Sequence, residues 1–298
     1  NINLQASTGT LTVLNSGAVT NDTGNINLTS TAGNLTTNDV IESVNGSITL
    51  TGSTGIVVDQ AVTSTAGAIT ATSSAGGIQI NAALSGGGDV NVEATAGNVV
   101  FGAGVGITST AGGITLVSAG ASIDGVGDLS LAAVTGLLIN NPLAIAGNLS
   151  LSVDVLDVQQ NITTSNGGDI TIASGALTFN QSTSISAAGQ LTMPALTANG
   201  DLTLSGVTGL NLAAVTISNG NLSLDAGSGV LDIQENFIAS NDVSITAGDF
   251  NLSTATATMA ITGTLTLSDQ AVGGSGIGLG VSQVGLLNIS TNELAAVT

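Results

Sequence analysis

A glycine-led phrase returns every 20 to 22 residues along most of this chain and constrains its fold more than any other feature. It reads Gly46-Ser-Ile-Thr-Leu50, Gly67-Ala-Ile-Thr-Ala71, Gly88-Asp-Val-Asn-Val92 and Gly168-Asp-Ile-Thr-Ile172, and it opens at Gly24, Gly127, Gly147, Gly200, Gly220 and Gly263 as well. A fixed period of this size means one supersecondary unit stacked on copies of itself. Each period carries three short runs in which Ile, Leu or Val alternates with Ser, Thr or Asn, the two-residue period of a half-buried strand. In the stretch from Gly67 these are Gly67–Ala71, Gly76–Ile80 and Ala82–Leu84. The step from the first run to the second is often nine residues, as from Gly46 to Gly55, Gly67 to Gly76 and Gly200 to Gly209.

These features predict an all-β, parallel β-helix with three short strands per turn of about 21 residues. The 298 residues would make roughly 14 turns, and a rise of ~4.8 Å per turn makes the stack on the order of 65 Å long. Right-handed coiling is expected from the handedness of parallel crossovers. Residues 1–298 read as a single continuous solenoid. The ten glycines named above are expected at the corners because glycine, like asparagine, accepts positive φ. Two steps break the rhythm, 15 residues from Gly112 to Gly127 and 11 from Gly189 to Gly200, and these predict shortened or bulged turns. The run Gly273–Gly280 is a third irregularity that lacks the aspartate of calcium-binding nonapeptide repeats. Phe101, Phe179, Phe237 and Phe250 are the only aromatic residues; Phe101 and Phe179 fall at inward positions and are expected to fill the core.

Composition removes most function classes. The chain has no Lys, Arg, His, Cys, Trp or Tyr, and a formal net charge of −19. Nucleic-acid binding requires cations against phosphates, and an anionic membrane surface would repel the chain. Nucleophilic triads lack a His or Lys base, and Cys/His zinc sites cannot form. A carboxylate pair of the glycosidase type survives, with Asp154/Asp157 and Asp232/Glu235 as candidates. These carboxylates read better as solvated surface groups, so the chain is expected not to be an enzyme. No cofactor is expected. Asp22, Asp39 and Glu42 are close acidic neighbours without a recognised calcium-loop spacing, so weakly held calcium or other screening cations are expected in place of a specific site. No apolar stretch is long enough to span a bilayer.

Thr-x-Thr pairs at Thr29/Thr31, Thr63/Thr65 and Thr108/Thr110 raise ice binding. The ladder is interrupted where the third runs read Pro142-Leu-Ala-Ile145 or Asn236-Phe-Ile-Ala239, and the Thr-Ala-Gly sequence after several pairs reads as corner chemistry. Asn-x-Ser/Thr triplets such as Asn148–Ser150 and Asn221–Ser223 coincide with the phrase and follow from it.

The Gly-[Asn/Asp]-apolar-[Ser/Thr/Asn]-apolar phrase resembles the β-helical stalks of filamentous-haemagglutinin-like adhesins and other giant secreted bacterial surface proteins, over nearly the whole chain. That resemblance implies export, an extracellular or cell-surface location and adhesion or matrix roles, with no transferable functional residue. The expected function is the shaft of an adhesin or surface fibre. Asn1-Ile-Asn-Leu4 repeats Asn25-Ile-Asn-Leu28, so a segment of a longer chain or a subunit stacking end to end is expected. Its partners would be flanking repeats or copies of itself. The alternatives are a self-assembling head-to-tail filament, a carbohydrate-binding or carbohydrate-active β-helix, and an ice- or surface-binding solenoid.

Overall fold

The computed structural model describes residues 1–14, 17–120, 122–253, 258–270, 277–280 and 287–290. Within them every regular element is a strand, the pairings given are all parallel, and the fold is a β-solenoid of about twelve turns of roughly 21 residues. The roughly fourteen turns expected from length counted the end of the chain, where the Gly273–Gly280 run lies largely outside the described residues. The chain groups into two compact units, Asn1–Leu156 and Asp157–Thr298.

In the first unit each turn contributes one strand to each of three stacks. The first stack begins Ile2–Ala6, Ile26–Ser30, Ile48–Gly52, Ile69–Ser73, Val90–Ala94 and Ile114–Ser118. The second includes Asn34–Thr37, Gly55–Val58, Ile78–Ile80 and Val99–Phe101. The third includes Ile41–Ser43, Val62–Ser64, Leu84–Gly86, Val105–Ser109 and Leu129–Ala133. Alternation puts every second side chain inside, so stacked registers become apolar ladders. Ile26, Ile48, Ile69 and Val90 form one and Leu28, Leu50, Ala71 and Val92 another, all fully buried. Burial of each Ile, Leu or Val side chain contributes roughly 1.5–3 kcal/mol, and it recurs turn by turn with no single centre.

The second unit repeats the plan. Thr183–Ala187, Leu202–Gly206, Leu222–Asp225, Val243–Ala247 and Leu265–Asp269 form one stack. A second carries Gln190–Met193, Gly209–Leu212, Val230–Ile233 and Asp249–Leu252, and a third carries Leu196–Asn199, Val215–Asn219 and Phe237–Ala239. Phe101, Phe179 and Phe237 are fully buried and Phe250 is 5% exposed, so all four phenylalanines are core residues.

The two breaks in rhythm are not shortened turns. In the first unit Ile114 pairs with Leu137, a step of 23 residues, and Val105 pairs with Leu129, a step of 24. The phrase at Gly127 has moved from the first stack to the third, where Leu129 pairs onward with Leu149 of the Gly147 phrase. The second unit shows a similar move. Ile170, after Gly168, pairs with Leu191, whereas Leu202 and Leu222, after Gly200 and Gly220, belong to the stack of Thr183. The turn keeps its length while its most recognisable words change face.

Candidate functional site

The polar residues of the phrase have a structural task that begins at the corner. Where one strand ends, the backbone amide opening the next has no carbonyl partner in its own strand. The side chain after the phrase glycine supplies one from the turn before. Asn25 Oδ1 accepts from the Ser47 amide at 2.9 Å, Asp89 Oδ1 from Gly113 at 2.9 Å and Asp128 Oδ1 from Asn148 at 2.7 Å. In the second unit Asp169 accepts from Gln190, Asp201 from Asn221 and Asp242 from Thr264, at 2.7–2.8 Å. Each donor lies 20 to 24 residues further on. An ionised acceptor strengthens such a bond, so these carboxylates bind backbone amides in a chain that carries no cationic side chain.

The corner before the phrase is held by a buried hydroxyl. Ser64 Oγ donates to Gly46 O in the preceding turn at 2.7 Å and accepts from Gly67 N in its own at 3.0 Å. Ser43 and Ser109 do the same between Gly24 and Gly46 and between Gly88 and Gly112. The Ser-x-x-Gly spacing is therefore a turn-to-turn staple. Corner threonines also serve the frame: Thr31 Oγ1 donates to the carbonyls of Ala6 and Ser7, and Thr95 Oγ1 to those of Ser73 and Ser74. Each Thr-x-Thr pair is thus split between a strand face (Thr29, Thr63, Thr108) and a corner (Thr31, Thr65, Thr110).

The corner glycines are required for a reason other than the expected one. Of the ten, only Gly220 has positive φ, at 90°. The others among them are selected by contact. A Cβ on Gly46 would lie 2.2 Å from Gly24 O, one on Gly67 2.5 Å from Gly46 O, and one on Gly263 2.5 Å from the Asn241 carbonyl carbon. Similar clashes meet Gly24 against Asn1, Gly127 against Ala103, Gly147 against Asp128 and Gly200 against Gln181, while Gly88 is tight at 3.3 Å from Ala68 N. Gly168, buried at its corner, takes a bond on its carbonyl from Thr164 Oγ1 at 2.6 Å. Successive turns approach too closely at these points for a side chain.

The candidate acids do not assemble into catalytic pairs. Asp154 is exposed in the first unit, and Asp157 belongs to the second, where the amides of Gln159 and Asn180 donate to it at 3.0 and 3.4 Å. Asp232 accepts from Asn251 Nδ2 at 3.0 Å and from Ser253 Oγ, whereas Glu235 is exposed beyond the end of the Asp232 strand. Asp39 is buried and engaged by the Gly17 and Val40 amides at 2.7 and 2.8 Å. Glu42 points outward between Thr20 and Thr63, and Asp22 sits in the corner before Gly24. Among the described residues no three acidic side chains gather to hold a metal ion, and no helix is long and apolar enough to cross a membrane.

Two shallow depressions lie on strand faces. One, of about 520 Å³, is in the first unit, with Val57, Gln79 and Val100 across its floor and Asn34, Gly55 and Asn98 beside it. The other, of about 390 Å³, is in the second unit and is lined by Thr203, Ser223, Ser244 and Thr266 with Asp201, Asn221 and Asp242 along one side. Reading single repeats misses the second, because its lining comes a few residues at a time from four successive turns. Comparison with protein-family models, with curated proteins and with solved structures finds no match.

Proposed function

We propose that this chain is a non-catalytic structural segment, the shaft of an extracellular adhesin or cell-surface fibre. The observation that carries the reading is the use of the phrase's own polar groups. Asp89, Asp128, Asp169, Asp201 and Asp242 each bind a backbone amide of the following turn. The conspicuous acids of the repeat thus hold the backbone together. The absence of any basic side chain weighs against nucleic-acid partners and against base-assisted catalysis.

A shaft must carry load along its turns, and quasi-one-dimensional stacks do so through nearest-neighbour interfaces. Single-molecule pulling is the test. Loss of one turn of about 21 residues releases on the order of 70 Å of chain, so a series of such steps is expected. A single all-or-none release of either unit at low force would refute the load-bearing role. Antibody labelling of intact cells that make the protein tests the location, and labelling only after permeabilisation would refute an extracellular shaft.

A further inference from the structure

The depression in the second unit differs in kind from the one in the first. Its floor is a row of outward hydroxyls in uninterrupted register: Thr203 beside Ser223, Ser223 beside Ser244, and Ser244 beside Thr266. None of these four hydroxyls makes a hydrogen bond to the described residues, in contrast to the buried corner serines, which bond on both sides. Along its edge run Asp201, Asn221 and Asp242, all exposed. Asp201 and Asp242 use Oδ1 to hold the next turn, which leaves Oδ2 of each turned to solvent. The Asn221 side chain makes no bond to the described residues, although its backbone amide is held by Asp201. In the first unit the corresponding floor is interrupted by Val57 and Val100, and Asn34 Oδ1 is taken by Thr54 Oγ1 at 2.6 Å.

The groove is therefore a strip of repeated acceptor, amide and hydroxyl groups, open along its length, with one set per turn. Neighbouring parallel strands are ~4.8 Å apart, close to the length of one pyranose ring along an extended β-linked chain. Carboxylates and amides pair with vicinal hydroxyls, and Ser and Thr hydroxyls both donate and accept. No cation lines the groove and the whole chain carries −19, so an anionic polymer is repelled. We propose that this face binds an extended neutral polysaccharide, with one sugar ring per turn over Thr203, Ser223 and Ser244 and its hydroxyls donating to Asp201 and Asp242. The site is separate from the Asp154/Asp157 and Asp232/Glu235 candidates and performs no bond cleavage. It adds a ligand to the shaft and does not depend on the mechanical reading.

The test is isothermal titration calorimetry of the full chain with cellohexaose, with hexagalacturonate as the anionic counterpart. Cellohexaose is expected to bind and hexagalacturonate to give no heat. The double variant Asn221→Ala/Ser223→Ala removes two side chains that bond none of the described residues, so its circular dichroism and melting curve should stay unchanged. Loss of two hydrogen bonds to ligand should weaken binding about tenfold or more. Val57→Ser in the first unit should leave binding unchanged. The proposal is overturned by absence of heat with cellohexaose, by equal binding to the double variant, or by tighter binding of hexagalacturonate. Thermal hysteresis without glycan binding would also overturn it, by marking the hydroxyl row as a water-ordering face.

Discussion

Gly67→Ala and Gly67→Asn, set against Gly9→Asn, separate the two reasons a solenoid corner needs glycine. At Gly67 the backbone is not in the positive-φ region, so an L-residue can adopt its conformation. The obstacle is space: a Cβ would stand 2.5 Å from Gly46 O, 2.6 Å from its carbonyl carbon and 2.7 Å from Ser47 N, all backbone. Ordinary contact begins near 3.4 Å, so the two turns must part locally by almost 1 Å. That movement strains the Gly67 N–Ser64 Oγ bond at 3.0 Å and the Gly88 N–Gly67 O bond at 2.9 Å. Overpacking costs about 1–3 kcal/mol and weakening two hydrogen bonds about 1–2 kcal/mol more. Lower entropy of the unfolded chain returns about 0.4–1 kcal/mol. The net expectation is a destabilisation of ~2–4 kcal/mol for either substitution at Gly67.

Gly9 is the opposite case. Its φ is +77° and no atom lies within 4 Å of the place a Cβ would occupy, so Gly9→Asn should cost under ~1 kcal/mol because asparagine accepts that conformation. Urea unfolding of the full chain, with hydrogen exchange of the Gly46 and Gly67 corners as a local readout, measures both. Tolerance of Gly67→Asn equal to that of Gly9→Asn would refute close approach as the cause and restore backbone conformation.

Three further outcomes follow from the same structure. Asp128→Asn keeps the acceptor for the Asn148 amide and should leave stability within ~0.5 kcal/mol, whereas Asp128→Ala should lose about 1 kcal/mol in urea melts; equal effects would refute the clamp. Thr37→Val replaces a fully buried hydroxyl that has no partner, and should stabilise by about 1 kcal/mol or more, read as a higher urea midpoint at unchanged slope. With −19 and no cationic side chain, raising sodium chloride from about 0.01 to about 0.15 M shortens the screening length from about 30 to about 8 Å and should raise the melting midpoint; a midpoint that stays constant or falls would contradict charge repulsion.

The architecture was legible because alternation and period are local. Ile48-Thr-Leu50 and Ile69-Thr-Ala71 announce inward and outward positions without knowledge of any neighbour. The phrase also located the corner glycines, but not their cause, since positive φ is a property of one residue while the contact of Gly67 with Gly46 needs the register of two turns. The migration of the phrase from the first stack to the third at Gly127 was hidden for a related reason. All three faces bury the same kinds of side chain, so Leu129-Ser-Leu131 fits beside Val105–Ile107 as well as it would beside Ile114–Leu116. The hydroxyl floor of Thr203, Ser223, Ser244 and Thr266 appears only once that register is known. Thr-x-Thr pairs drew attention elsewhere because sequence adjacency does not distinguish a corner threonine such as Thr31 from a face threonine such as Thr29.

The central claim is that turns of constant length stack in parallel register while the phrase changes face. The chain contains no cysteine, so paired cysteines report that register on a clean background. Thr108 and Ala132 are register partners on the third stack, whereas Ser130 would face Thr115 only if the Gly127 phrase began a shortened turn on the first stack. Partnered positions lie within the Cα separation a disulfide accepts, roughly 4.4–6.8 Å. Mild oxidation should therefore close Thr108→Cys/Ala132→Cys rapidly and leave Thr115→Cys/Ser130→Cys reduced. Rapid closure of the second pair with failure of the first would contradict the stacking described above.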